Sequence, residues 1–233
     1  IRTVKHLRER REAFLTVPDL RRMSAALTAF RTTEPDEKIL IIAPTLRDVQ
    51  LMSMYMSDAI VVTGEQTNNQ RYRQWMKFRS SKSAVMLGTK IAALLVDQSV
   101  TSIFVINSGD SSHKQFDRNP RFDARHVSWE LHDRFHSNLF FFDVSMRSRD
   151  LALFSEANRL WWGKAYPTQI VDLDAERPGA IHANLSPTAE KNIRSVLEQG
   201  GRVLCILNRK GVASRLFCEG CSHKFSCKEC GSG

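Results

Sequence analysis

The sequence predicts an α/β fold: a parallel sheet covered on both faces by helices. Three observations predict it. Short, continuous apolar runs such as Lys38–Ala43 (KILIIA) and Ala59–Thr63 (AIVVT) lack the alternation of a half-exposed strand, so both of their faces are buried. Segments of about ten residues with helical spacing separate them, the pattern of strand–helix–strand crossovers. The chain has 233 residues and is 42% hydrophobic and 25% charged, enough to close one large core or two modest ones.

Taken in order, residues 2–11 read as a polar, basic helix and Ala13–Val17 as a strand. Pro18-Asp19 then opens a helix over Leu20–Phe30, with Asp19 as N-cap. Strand Lys38–Ala43 leads through Pro44-Thr45 into helix Leu46–Met56, and strand Ala59–Thr63 into helix Asn69–Phe78. Strand Ala84–Leu87 ends in Gly88-Thr89-Lys90. Strand Ile103–Ile106, helix Ala124–Arg134, strand Phe140–Val144 and helix Ser148–Leu160 complete six strands before residue 150. A second unit follows Tyr166-Pro167: strand Ile170–Leu173, helix Pro187–Gln199 capped by Ser186, a left-handed Gly200, and strand Arg202–Leu207 with Cys205 in its core. Tyr72, Trp75 and Phe78 share one helix face and are expected to pack inward, with Arg71, Arg73, Lys77 and Arg79 beside them. His113 and His126 are expected to be surface or satisfied histidines.

Net charge is +9, which favours a polyanion, most often nucleic acid. The excess is concentrated at both ends: Ile1–Arg31 carries eight Lys/Arg against three Asp/Glu, and Arg202–Gly233 six against two. No run approaches the ~18 apolar residues of a membrane span. The opening residues form no signal-peptide pattern, so a reducing cytoplasm is the expected compartment, at the nucleoid if DNA is the partner. Cys218-x2-Cys221 and Cys227-x2-Cys230 lie five residues apart. Each pair turns two thiolates toward one tetrahedral cation, so zinc is the expected cofactor.

In this order the motifs resemble the primosomal replication-restart helicases of the PriA type, within helicase superfamily 2. The resemblance is carried by Ala43-Pro44-Thr45 to Gln50, Arg71-Tyr72-x2-Trp75, and Gly88-Thr89-Lys90-Ile91-Ala92-Ala93-Leu94. It continues through Asp110 to Gln115, Pro120-Arg121-Phe122-x-Ala124-Arg125, Leu207-Asn208-Arg209-Lys210-Gly211, and the cysteine spacing. It implies a RecA-like lobe over residues 1–163, the start of a second lobe over 164–213, and the start of a zinc module over 214–233, in a chain expected to be a fragment. It implies DNA contacts at Thr45, Arg71, Thr89, Lys90, Arg121, Arg125, Arg209 and Lys210. Forked or single-stranded DNA, primosome proteins and single-strand-binding protein are the implied partners, with no membrane. In the family, four Cys-x2-Cys pairs share two zinc ions. Here Cys218, Cys221, Cys227 and Cys230 either share one or await further partners.

The departures all concern ATP. A phosphate cradle needs glycines and a Lys-Ser/Thr pair, yet no glycine precedes Gly64, and Pro18-Asp19 puts a carboxylate where phosphate would bind. At the Walker B position Asn107 is neutral, Gly109 has no side chain, and Asp110 lies about 10 Å too far along an extended chain. The hydrolysis-coupling motif falls on Val144-Ser145-Met146. The expectation is a pseudohelicase, with ATP and magnesium not required. An ATP-driven helicase and a protein-interaction scaffold are the alternatives.

Overall fold

The computed structural model describes residues 2–117, 119–162, 168–176, 185–206, 216–217, 220–221 and 224–225. The chain divides into two compact units, Ile1–Ala165 and Tyr166–Gly233.

In the first unit helix α1 (Arg2–Arg8) precedes strand β1 (Glu12–Thr16), helix α2 (Leu20–Thr33), β2 (Lys38–Ile42), α3 (Leu46–Ser53) and β3 (Ile60–Val62). There follow α4 (Asn68–Ser80), β4 (Ala84–Gly88), a 3₁₀ turn over Lys90–Leu94, β5 (Ser102–Ile106), a second 3₁₀ turn over Ser111–His113, and α5 (Ala124–Phe135). β6 (Asn138–Asp143), α6 (Ser148–Leu153) and β7 (Arg159–Trp161) end it. The seven strands form one sheet in the order β3-β4-β2-β5-β6-β1-β7, and every pairing is parallel.

A strand buried on both faces sends alternate residues to two cores. Ile39 and Ile41 join Leu15, Phe104, Phe140 and Phe142 under α2 and α3. Leu40 and Ile42 join Phe14, Ile103, Val105 and Phe141 under α4, α5 and Phe154. Phe30 of α2 meets Phe104 and Phe140 edge-on at 5.0 and 5.6 Å, so the first core is aromatic at its centre. Because α3 leaves β2 for one face and α5 follows β5 on the other, the carboxyl ends of these neighbouring strands mark the point where the strand order reverses. This is the place where open α/β sheets bind ligands.

Caps follow the sequence. Asp19 accepts from Arg22 N at 2.7 Å and Thr45 from Asp48 N at 3.1 Å, which satisfies orphan N–H groups at the starts of α2 and α3. Three expectations change in this unit. The helix read over Ser148–Leu160 stops at Leu153, a 3₁₀ turn takes Glu156–Asn158, and β7 begins at Arg159, pairing Phe14 with Arg159 and Leu15 with Leu160. The inward stripe on α4 is split. Phe78 is buried and Trp75 is partly buried against the core, but Tyr72 is 59% exposed. His113, read as a surface or satisfied histidine, is buried with Nε2 against two carbonyls and with no partner for Nδ1 among the described residues.

In the second unit α7 (Leu173–Glu176) precedes α8 (Pro187–Glu198), and β8 (Leu216–Phe217) pairs antiparallel with β9 (Lys224–Phe225). Ser186 caps α8 through Ala189 N at 3.1 Å. Gly200 ends it at φ 73°, where a side chain would strain the backbone. Two strands read from the sequence do not form here. Residues 168–172 are irregular, Leu173 begins a helix, and Ile170 is 93% exposed. Residues 202–206 have no strand partner among the described residues, and Cys205 is an exposed thiol, with Leu204 and Ile206 each 84% exposed. An apolar run becomes a strand only when neighbours take up its N–H and C=O groups, and the described residues of this unit provide none.

Candidate nucleic-acid interface

In a parallel sheet, the loops leaving the strands gather at one edge. On this edge hydrogen bonds tie them together. Thr45 Oγ1 donates to Asp48 Oδ2 at 2.5 Å, and Asn107 Nδ2 donates to Asp48 Oδ1 at 3.1 Å, which bridges the β2–α3 loop to the end of β5. Asn107 sits at φ 48°, a left-handed conformation that asparagine tolerates better than most residues. Lys90 Nζ reaches the carbonyl of Lys114 at 3.4 Å and joins the β4 loop to the segment after β5. Lys114 in turn lies 4.9 Å over the ring of Phe116, which is 58% exposed. Gln115 N donates to Phe122 O at 2.8 Å, closing a loop that holds Arg121 in solvent. Thr89 begins its 3₁₀ turn with no side-chain cap, so the first N–H groups of that turn are left to other acceptors.

Arg125 is drawn inward instead. It is 8% exposed and forks onto both oxygens of Asp123 at 2.7 Å, while its Nη1 holds the carbonyls of Ser108 and Asp110 at 2.7 and 3.1 Å. Burial alone would raise the Asp123 carboxyl, but hydrogen bonds from Arg125 and its charge hold it below the ordinary range, so the pair is ionised. Arg125 thus shapes the loop after β5. Arg71 sits on α4, half-buried, and donates to Asn68 Oδ1. Arg209 and Lys210 lie outside the described residues.

At the end of β1 the chain turns through Val17-Pro18-Asp19 straight into α2. Oδ1 of Asp19 takes the N–H of Arg22, and Oδ2 takes its guanidinium at 2.9 Å. A carboxylate therefore occupies the helix N-terminus that a phosphate would need. At the end of β5, Asp110 caps the turn over Ser111–His113 through Ser112 N at 2.7 Å. A Cβ added at Gly109 would lie 2.9 Å from Asp143 Oδ2, so the space for a carboxylate at position 109 is already filled by one from β6. Asp143 is 8% exposed and accepts from Gly109 N and from Val144 N at 2.6 Å. At the N-terminus of α2 these residues do not fit a nucleotide phosphate.

Sequence reasoning missed Asp143 and Phe116. Both left a signal: an acid closing the apolar run FFFD, and an aromatic standing alone in a polar loop.

Behind this edge His113 Nε2 lies 3.0 Å from Ile106 O and 3.2 Å from Asn107 O, while its Nδ1 and the Ser108 hydroxyl are buried without a hydrogen-bond partner among the described residues. Burial holds the imidazole below its ordinary value despite the two carbonyls. Below about pH 6.5 the unfolded chain takes up a proton that the folded chain refuses, so this residue's contribution to stability falls as pH drops below that value. The unfolding midpoint in urea should fall between pH 7.5 and 5.5 with a component of up to roughly 1.4 kcal/mol per pH unit that His113→Asn removes. Identical pH slopes for the two proteins would refute it. His126 is exposed, with Glu130 Oε1 at 3.6 Å.

Of the cysteines, Cys218, Cys227 and Cys230 lie outside the described residues, and Cys221 is exposed. β8 and β9 bracket Cys218 and Cys221 in sequence. Among the described residues no three His, Cys, Asp or Glu side chains converge as metal ligands, and no helix is long and apolar enough to cross a membrane.

No family model matches the chain. Over 207 residues it is 26% identical to the replication restart protein PriA of Haemophilus influenzae, covering 83% of this chain and 28% of that protein. It is 27% identical over 168 residues to PriA of Thermotoga maritima, covering 67% of this chain and 22% of that protein. The chain thus spans under a third of the length of these relatives. The helicase domain of Pyrococcus furiosus Hef superimposes with a TM-score of 0.44 at 14% identity, over 65% of this chain and 34% of that one.

Proposed function

We propose that this chain is part of a helicase-family replication-restart protein, and that its first unit is a degenerate RecA-like lobe. The lobe binds single-stranded or forked DNA without hydrolysing ATP. One observation carries the reading. Hydrogen-bonded loops bring Thr45, Thr89, Lys90, Lys114, Phe116 and Arg121 to the carboxyl edge of the sheet, while Asp19 takes the helix N-terminus that a nucleotide phosphate would need and Asp143 fills the space beside Gly109. Cations and uncapped N–H groups suit a phosphate backbone, and an exposed aromatic ring suits a base. The similarity to PriA supports replication restart as the setting, with primosome proteins and single-strand-binding protein as partners. Such work belongs in the cytoplasm at the nucleoid. Arg71, Arg209 and Lys210 are further candidate contacts.

Anisotropy titrations of labelled single-stranded and forked DNA between 50 and 200 mM salt test this. Binding should weaken steeply with salt. Lys90→Ala and Arg121→Ala should each weaken it and lower the log–log slope by about 1. No DNA binding would sink the reading. DNA-stimulated ATP hydrolysis would replace it with an active helicase.

The second unit contributes a zinc knuckle in this proposal, with Cys218, Cys221, Cys227 and Cys230 as thiolate ligands. Its support is the paired spacing, framed by the β8–β9 pairing. About one zinc per chain, released when the four thiols are titrated with a mercurial, is the expected result. A metal-free protein with all five thiols freely reactive would exclude it, since the exposed Cys205 reacts in either case.

A further inference from the structure

A cleft lies between α4 and the 3₁₀ turn Lys90–Leu94, next to the loops described above. It encloses about 470 Å³, within the range of small-ligand sites. Tyr72 and Trp75 form one wall, with ring centroids 5.8 Å apart, and Ile91 and Leu94 form the other. Tyr72 is 59% exposed and Leu94 47%, so apolar surface that could have closed into core is left open to solvent. Trp75 is fixed from behind, packed on the core with the Arg79 guanidinium 5.2 Å from its ring. Helix α4 carries Arg71, Arg73, Lys77 and Arg79 and no Asp or Glu over its thirteen residues. The one carboxylate among the described residues lining the cleft, Asp97, has Arg79 Nε at 3.7 Å.

We propose that this cleft takes an unpaired nucleobase of a single strand, stacked on Tyr72, with the cations of α4 on the flanking phosphates. Flat aromatic walls without a fixed array of polar groups accept any base face, and a helix of one charge sign favours a polyanion over a neutral partner. The inference rests on the DNA-binding reading and adds to it a second subsite, where bases rather than backbone are held.

The test compares a labelled 20-nucleotide oligo(dT) with an abasic strand of equal length and label, on the full chain at fixed salt. The wild type should prefer oligo(dT) by roughly five- to fiftyfold. Tyr72→Ala should remove most of that preference and leave affinity for the abasic strand unchanged, while Tyr72→Phe should keep it. Thermal melts should be the same for all three proteins, since Tyr72 is a surface residue. Equal binding of both strands by the wild type, or a preference untouched by Tyr72→Ala, overturns the proposal and leaves backbone binding at the sheet edge intact. Binding of neither strand removes the DNA reading with it. An Asp-rich aromatic peptide that binds and is lost in Tyr72→Ala, with oligo(dT) affinity unaffected, overturns it in favour of a peptide groove.

Discussion

Phe140→Ala is expected to destabilise the first unit by about 4 kcal/mol, within the range for fully buried aromatic truncations. Phe140 is fully buried in the interior strand β6, 5.6 Å from Phe30 and 5.0 Å from Phe104 by ring centroid. The change removes transfer energy, leaves a cavity between α2 and the sheet, and breaks two aromatic contacts that contribute about 0.5–1.5 kcal/mol each. The backbone there is clamped by parallel partners on both sides, β5 and β1, so the site cannot collapse to fill the hole. Calorimetry should show the unfolding temperature lower by roughly 10 °C. A shift of under 3 °C would mean that the core relaxes around the cavity. The carboxyl-edge loops should retain DNA affinity at low temperature, because they lie beyond the strand ends.

Arg125→Ala should cost about 3 kcal/mol and act through a different part of the molecule. Its guanidinium satisfies a carboxylate that is 25% exposed and two loop carbonyls at once. Breaking a largely buried pair strands the remaining charge, and partial exposure of Asp123 places the cost at the lower end of the 3–5 kcal/mol range. Arg125→Lys keeps the charge but not the fork, and should recover less than half of the loss. Hydrogen exchange distinguishes this from a general weakening: amides of residues 108–113 should lose protection before those of β2 and β5. Because the same loop leads to Lys114 and Phe116, DNA affinity should fall even though Arg125 itself is buried. Unchanged exchange in that loop, with weakened DNA binding, would instead place Arg125 on the DNA.

Much of the first unit was legible in the chain. The strands β1 to β6 announce themselves as apolar runs, because burial on both faces leaves no room for polar alternation. Asp19, Thr45 and Ser186 announce helix starts because few side chains can accept from a first-turn N–H. β7 was hidden: three residues carry too little pattern to separate them from the helix before them. Charge was legible in amount but not in direction. Arg121 and Arg125 stand four apart in the same motif, yet one lies in solvent and the other forks onto Asp123, and only the path of the loop separates them. Tyr72 and Phe78 were read as one helix face, but at 3.6 residues per turn six positions leave them about 120° apart, so the packing that buries Phe78 turns Tyr72 outward.

The sequence by itself determined the alternation of strands and helices, the caps, the missing glycines after β1, and the paired cysteines. Each of these is a local property of a few consecutive residues. Strand order, the insertion of Asp143 beside Gly109, the inward turn of Arg125 and the open cleft at Tyr72 were decided only by the tertiary structure. They depend on which distant segments become neighbours, and one-dimensional spacing carries no record of that. The same reason accounts for residues 202–206. Their apolar run is a strand by composition, but a strand is completed by the segments beside it, and the described residues of the second unit offer it none.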